Sequence, residues 1–390
     1  MSDYKAFLAK KSEIYATIDR FRAMRVLEKY KAFFGAKKII QIIGTNGKGS
    51  TGRFLAQLLN ALNLSVAHYT SPHLFEFRER FWQNGAVLSD EALNLAHEHL
   101  AKVMSVADLN SLSYFEYATF LAMCAFKECE FIIFEAGLGG EYDATSVFSK
   151  QMSVFTRIDY DHTHILGENL KDIARTKLKV MSQKALISEQ QDELVLNLAH
   201  KIALLKNATL YKASQIIDEN DKKALNAYAQ KHSLPEFLAH NLCVSFSALT
   251  LLINSKEKAL QALRNLAKLD LRARLEQIAP NVFVDVGHNE NAAAALATHF
   301  KGQKFNLVYN SFADKKIFKI LENLKPLIAK IMIYDYLSER PLAKKEIKNA
   351  AKALNIEYED FKTLKKDEKY LVFGSFLLAQ HFIKENFETT

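Results

Sequence analysis

The sequence predicts an α/β protein with mostly parallel sheets and more than one domain. Three observations carry this. Short apolar runs rich in β-branched residues alternate with stretches of helical period. One of these runs ends in a glycine-rich loop that leads into a helical pattern, "QIIGTNGKGSTGRF" from Gln41 to Phe54. The chain has 390 residues, more than one hydrophobic core usually organises.

Strands are expected at Lys37 to Ile43, Phe131 to Ala136 and Met152 to Ile158. A second series follows at Val282 to Val286, Phe305 to Tyr309, Ile331 to Tyr336 and Tyr370 to Gly374. Short apolar runs between helices suit a parallel sheet covered on both faces. Helical spacing runs through "EALNLAHEHLAKVM", "ENLKDIARTKLKVM", "FADKKIFKILENLKPLIAKI" and "AKKEIKNAAKAL". The stretch from Ser214 to Leu269 reads as helical without strands, and a fresh strand series opens at Val282. The boundary is therefore set near Asp270, giving domains 1–270 and 271–390 with a cleft between them.

Composition narrows the class. Apolar residues make up 49% and charged residues 25%, an ordinary globular balance. No apolar stretch reads as long enough to cross a bilayer, and "MSDYKAFLAKKSEIY" lacks the apolar core of a leader. A cytoplasmic protein is expected. Cys124, Cys129 and Cys243 show no metal-ligand spacing and suit reduced thiols. The net charge of +8 is spread over scattered lysines without a basic stripe, which argues for solubility over nucleic-acid binding.

The loop Gly44-Thr45-Asn46-Gly47-Lys48-Gly49-Ser50-Thr51 carries the first chemistry. Glycines let backbone N–H groups curl around phosphate oxygens, and a helix N-terminus favours negative charge. Lys48 can reach a terminal phosphate, and the Ser50 hydroxyl can ligate Mg²⁺. The usual P-loop puts the hydroxyl residue directly after the lysine, whereas here Gly49 intervenes. Glu135 ends an apolar strand, where α/β sheets place ligand groups, and a carboxylate there can hold Mg²⁺. Standing alone it would read first as a cap or an ion-paired glutamate. Asp161 and His162 also follow a strand, at the same expected sheet edge. In the second domain Asp285 and His288 follow "VFVDV"; such a carboxylate can accept from ribose hydroxyls. Arg274 offers a phosphate-binding fork. An ion-pair cluster involving Arg272 and Asp270 is the competing reading there.

"GTNGKGST" resembles the ATP loop of the Mur ligase superfamily, in particular the folylpolyglutamate synthase/dihydrofolate synthase family. The resemblance continues in order through "YTSPHLFEFRERF", "SYFEYATFLAMCAF", "FEAGLGGEYDATS", "DYDHTHILGENLKDIARTK", "RARLE" and "DVGHNENA". It implies a P-loop nucleotide-binding domain with a mostly parallel sheet and a smaller Rossmann-like α/β domain at the C-terminus. It also implies that Gly44 to Thr51, Arg274, Asp285 and His288 bind ATP across the cleft. Two Mg²⁺ ions are implied, with Ser50, Glu135, His162 and a carbamylated Lys177 as ligands. Lys179 is a rival for the carbamate, but the register from Ile173-Ala174 favours Lys177. Carbamylation needs a fraction of neutral amine, which desolvation or a nearby cation can supply. Ser71, Pro72, His73, Phe115 and Asp143 are implied near the pterin or glutamate pockets.

The sequence departs from the family pattern at several places. Glu141 stands where Arg is usual, Ser146 where Asn is usual, and Thr176-Lys177-Leu178-Lys179 replaces the usual lysine context. The resemblance implies ATP-driven ligation of L-glutamate to dihydropteroate, to the tail of folates, or to both, by a monomer with small-molecule partners only. Lys48, Lys177 and His162 would carry the catalysis. A Mur ligase acting on a peptidoglycan precursor and a non-catalytic nucleotide- or folate-binding regulator are the alternative readings.

Overall fold

The computed structural model describes residues 3–11 and 19–388, so part of the charged N-terminal stretch lies outside the described residues. The chain divides into two compact units. One comprises Met1–Leu234 with Leu238–Asp270, the other Pro235–Phe237 with Leu271–Thr390.

The first unit is built on β1 (Lys38–Ile43), β2 (Val66–Tyr69), β3 (Phe81–Gln83), β4 (Ala86–Val87), β5 (Phe131–Glu135), β6 (Met152–Phe155), β7 (Lys184–Ile187) and β8 (Thr209–Lys212). Among the described residues they form one sheet in the order β4-β3-β2-β5-β1-β6-β7-β8. From β2 to β8 all neighbours are parallel, and β3 and β4 add an antiparallel edge. Strand β1 lies between β5 and β6 and is buried from Ile39 onward. Its side chains alternate between faces: Ile40 and Ile42 join the cluster around Phe54 and Leu58, while Ile39 packs with Phe120 and Phe134 on the other side. Gln41 is the one polar residue in this run and has no solvent exposure.

The helix Lys48–Asn60 follows β1 directly, and every residue from Gly49 to Leu59 is buried. A helix enclosed on all sides in this way is a core element. Its Arg53 guanidinium donates to the Asp270 carbonyl and lies 3.4 Å from the Asp270 carboxylate. Trp82 Nε1 donates to the same carboxylate at 2.9 Å. One turn on, Gln57 donates to the Lys268 carbonyl and accepts from the Asp270 N–H at 3.0 and 3.1 Å. The last residues of the first unit are thereby pinned to this helix.

The second unit contains β9 (Glu276–Ala279), β10 (Val282–Asp285), β11 (Phe305–Tyr309), β12 (Ile328–Ile333), β13 (Tyr358–Asp360) and β14 (Tyr370–Phe373). Their order among the described residues is β13-β12-β11-β14-β10-β9, parallel throughout except for β9. Its core gathers Leu307, Ile320, Leu324, Ile331, Ile347 and Leu371.

Two expectations need correcting. The helical spacing over "FADKKIFKILENLKPLIAKI" overreaches. The helix covers only Ile317–Leu324, Lys325–Leu327 tightens into a 3₁₀ turn containing Pro326, and β12 begins at Ile328. Proline lacks the N–H that a continuing helix needs. The expectation that no stretch could cross a bilayer also fails on length and composition, because the helix Glu236–Ile253 reaches 18 residues with a mean hydropathy of 1.5. Its Leu242, Phe246 and Leu249 are buried against Phe54 and Leu58, the packing of a core helix.

Candidate active site

The sheet order places β2, β5, β1 and β6 side by side, and their C-terminal ends carry most of the residues singled out in the first unit. This is where parallel α/β sheets bind ligands.

After β1 the loop turns into its helix at Gly47, whose φ of 83° is a left-handed conformation favouring glycine. A Cβ there would stand 2.5 Å from Asn241 Oδ1. At Gly44 it would stand 2.0 Å from Thr156 Oγ1, so these glycines also let β6 and the helix Glu236–Ile253 approach. The N–H groups of Thr45 and Asn46 both donate to the Arg157 carbonyl, at 2.8 and 3.3 Å. The Thr45 hydroxyl bridges the carbonyl and N–H of Asp159. The loop is thus tied to the segment after β6. Lys48 is half-buried and its amine donates to the Thr45 carbonyl at 3.2 Å. Ser50 and Thr51 are buried in the first helical turn, and the Thr51 hydroxyl has no hydrogen-bond partner.

Lys177 comes to the same loop from the helix Leu170–Leu178. Its amine donates to the Gly44 carbonyl at 2.9 Å and is buried. Burial pushes its pKa down to about 7, the Lys48 charge adds to the shift, and Asp161 and Asp143 oppose it. Among the described residues Lys177 forms no ion pair, and no carboxylate is bonded to either amine that faces this loop. Lys179 points elsewhere: its amine makes a two-pronged ion pair with Glu141 at 2.8 and 2.9 Å.

Glu135 is buried at the end of β5. One carboxylate oxygen, Oε2, accepts from the Thr70 hydroxyl and from the Ser71 N–H after β2. His162 sits at φ 49°, an uncommon backbone region for a non-glycine residue that gathers at functional sites. Its Nε2 lies 3.8 Å from the Asp161 carboxylate. No cluster of three His, Cys, Asp or Glu in metal-ligating range occurs among the described residues. The candidate donors are instead a hydroxyl, one carboxylate, one imidazole and the unmodified Lys177. A second oxygen anion at Lys177 would complete an oxygen-rich set suited to Mg²⁺.

The glycine loop after β5 packs on the helix that carries Lys177. A Cβ on Gly140 would meet the Thr176 carbonyl at 2.8 Å and Lys177 Cα at 2.9 Å. Asp143 organises the loop internally: Oδ2 accepts from the N–H groups of Gly137 and Leu138, and Oδ1 from the N–H and hydroxyl of Thr145. Its carboxylate is therefore engaged within the loop, although burial raises its pKa. Phe115 is half-buried beside Gly137, where a Cβ would stand 2.6 Å from its ring. The Phe115 ring centroid lies 5.9 Å from that of Tyr69. His73 Nδ1 accepts from buried Arg80 at 2.9 Å, and the Ser71–Pro72 bond is cis.

In the second unit, Arg274, Asp285 and His288 gather where β10 ends. Asp285 is buried, its oxygens accept from the N–H groups of Leu275 and Gly287, and burial raises its pKa. Arg274 lies over the Phe376 ring at 4.9 Å. His288 Nδ1 is 3.2 Å from the Val286 carbonyl. Arg272 pairs with Glu276 within this unit, and Asp270 with Arg53 in the other.

Sequence reasoning passed over Gln41, Thr70, Arg80, Asp159 and Asn241. Arg80 gave a signal, being a charge inside the aromatic run "FEFRERF". Asn241 gave another as a polar residue in an apolar helix. Gln41 is the sole polar interruption of β1.

A glycine-rich loop at the C-terminal ends of a parallel sheet, with a buried lysine bonded to it, is the arrangement expected of an ATP-dependent ligase. Residues 42–256 match the Mur ligase middle domain. The chain is 31% identical over 375 residues to the dihydrofolate synthase/folylpolyglutamate synthase of Buchnera aphidicola subsp. Acyrthosiphon pisum, covering 88% of each chain. It is 30% identical to the Escherichia coli K12 enzyme of the same name, covering 74% of this chain and 71% of that one. The crystal structure of Helicobacter pylori folylpolyglutamate synthetase superposes with a TM-score of 0.80 at 41% identity, over 97% of both chains. The chain belongs to the dihydrofolate synthase/folylpolyglutamate synthase family of Mur ligases. A Yersinia pestis member complexed with AMPPNP and Mn shares the fold at a TM-score of 0.80 and 23% identity, over 98% of both chains.

Proposed function

We propose that this ligase joins L-glutamate to dihydropteroate, to the glutamate tail of folates, or to both, at the expense of ATP. A carboxylate is a poor electrophile, so the acceptor's carboxylate first attacks the γ-phosphorus and ADP departs. The glutamate amine then attacks the carbonyl of the acyl phosphate, and inorganic phosphate leaves. Lys48 and the loop N–H groups offset charge on the transferring group. Bound Mg²⁺ would add Lewis-acid stabilisation, held by Ser50, Glu135, His162 and carbamylated Lys177. Arg274 and His288 are assigned to nucleotide contacts, with Asp285 near the ribose. Ser71, Pro72, His73 and Phe115 are assigned to the acceptor side. Asp143 is assigned to shaping the glycine loop there.

One observation supports the reading most. The amines of Lys48 and Lys177 dock on the carbonyls of Thr45 and Gly44 in the same loop, and neither forms an ion pair among the described residues. The Lys48 cation suits a polyphosphate, and the buried Lys177 amine with a pKa of about 7 suits CO₂ capture. Residues 1–270 form the ATP-binding domain in this reading, and 271–390 the second α/β domain. The protein acts as a cytoplasmic monomer with small-molecule partners and no nucleic acid or membrane. The test is glutamate-dependent ADP release and glutamate incorporation, with dihydropteroate and tetrahydrofolate supplied separately. Incorporation with either supports the assignment; ATP binding without ligation of either overturns it.

A further inference from the structure

Gln41 lies in the middle of β1 on the strand face opposite Ile40 and Ile42, with no solvent exposure. A buried amide in a central strand costs free energy unless its hydrogen bonds are met. Its Nε2 donates to the Thr145 hydroxyl and to the Ser146 hydroxyl, each at 2.7 Å. From there two branches run to the glycine loop. Thr145 Oγ1 donates to Asp143 Oδ1 at 2.6 Å, and Asp143 Oδ2 takes the N–H groups of Gly137 and Leu138. Ser146 Oγ donates to the Gly140 carbonyl at 2.7 Å. Both branches end on Gly137–Gly140, whose last residue lies against Lys177 Cα. The next N–H, that of Glu141, closes on the Thr176 carbonyl at 2.9 Å.

We propose that Gln41 is a positioning residue for the ligation reaction: through Thr145, Ser146 and Asp143 it sets the glycine loop against the backbone that carries Lys177. Gln41 itself touches neither substrate nor Lys177. It stands on β1 three residues before Gly44, which opens the glycine-rich loop after that strand, so one side chain registers the two loops to each other. A nonpolar residue of equal length would fill the space more cheaply, because Gln41 Oε1 is buried without a partner. Retaining the amide therefore makes sense for its two donors. The inference rests on the proposed role of Lys177.

Gln41→Met keeps length and volume but removes both donors. In the full chain with ATP and the acceptor it is expected to lower kcat at least tenfold while the KM for ATP stays within about threefold. Hydrogen exchange at the Glu141 amide is expected to rise, with the amides of Ile40 and Ile42 still protected. Ser146→Ala cuts one branch at a less buried site, and its kcat loss should not add to that of Gln41→Met. It also serves if Gln41→Met does not fold. An unchanged kcat with unchanged exchange at Glu141 overturns the inference, as does an equal change in kcat and ATP KM. If the unmutated protein ligates no folate acceptor, the functional reading fails, while the exchange arm still decides whether Gln41 holds the loop.

Discussion

The Lys177 amine donates to the Gly44 carbonyl at 2.9 Å, so the buried lysine and the phosphate loop share a hydrogen bond. The bond survives loss of a proton, because a neutral amine still donates. What changes with protonation is the cost of keeping a charge inside the protein.

That cost predicts a pH dependence. The folded pKa of Lys177 is about 7, against an ordinary value of 10.5. Between these values the unfolded chain binds more protons, so the Lys177 contribution makes stability rise with pH through this window. Below it the full penalty of a buried charge is present. Lys177→Met should raise stability near pH 7 in the absence of ligands and remove this part of the slope, as read by denaturant titration at several pH values. The same variant should be nearly inactive, and Lys177→Ala should regain part of its activity with short carboxylic acids. A slope unchanged in Lys177→Met would reject the assignment.

Lys48→Ala should leave the fold intact, because the side chain is half-buried and its one hydrogen bond among the described residues is to the Thr45 carbonyl. Turnover should fall by about 10²–10³, the scale of one contact to developing charge. Steady-state kinetics on protein with an unaltered melting curve decides the point; near-normal turnover counts against the role.

Glu141 and Lys179 form a partly exposed ion pair, with side-chain exposures of 29% and 46%. Such pairs are worth about 0.2–1 kcal/mol, the coupling expected from a double-mutant cycle with alanines. Glu141→Arg places two cations together beside the glycine loop. It should change the acceptor KM more than the ATP KM, measured with each substrate varied in turn. Equal changes in both would mean that this corner does not face the acceptor.

Gly52 lies inside a helix, where alanine normally gains about 1 kcal/mol. Here a Cβ would stand 2.4 Å from Nε2 of the buried His68 ring. Overpacking costs about 1–3 kcal/mol, so Gly52→Ala should be neutral to destabilising by up to about 2 kcal/mol. In a His68→Ala background the methyl has room, and the same change should become stabilising. Chemical denaturation of the four proteins tests the reversal.

These neighbours explain what could be read from the chain in advance. Strands β1, β5, β6, β10, β11 and β14 were legible because they are apolar runs buried on both faces. Edge strands such as β4 at Ala86–Val87 and β13 at Tyr358–Asp360 are two and three residues long, too short to show a period. The glycine-rich loop after β1 and the carboxylate of Glu135 at the end of β5 were legible as local patterns at strand ends. Asp143 was not readable as a loop organiser, because its four hydrogen bonds exist only once the loop has folded around it. Gln41 was hidden for a related reason: its partners lie more than a hundred residues away. The Glu141–Lys179 pair likewise joins two segments that only the fold brings together.

The Arg53 contacts bear on where the chain can be divided. A fragment ending at Asp270 would keep every acceptor that Arg53, Gln57 and Trp82 use at its C-terminal end. A fragment stopped three residues earlier would lose the Lys268 and Asp270 carbonyls together. It would remove acceptors from a guanidinium that is only 3% exposed, although its Nε would still donate to His68 Nδ1. Expression boundaries for the first unit therefore have little tolerance on the N-terminal side of Asp270. A truncated piece would show the error first as a loosening of the helix Lys48–Asn60, far along the sequence from the cut.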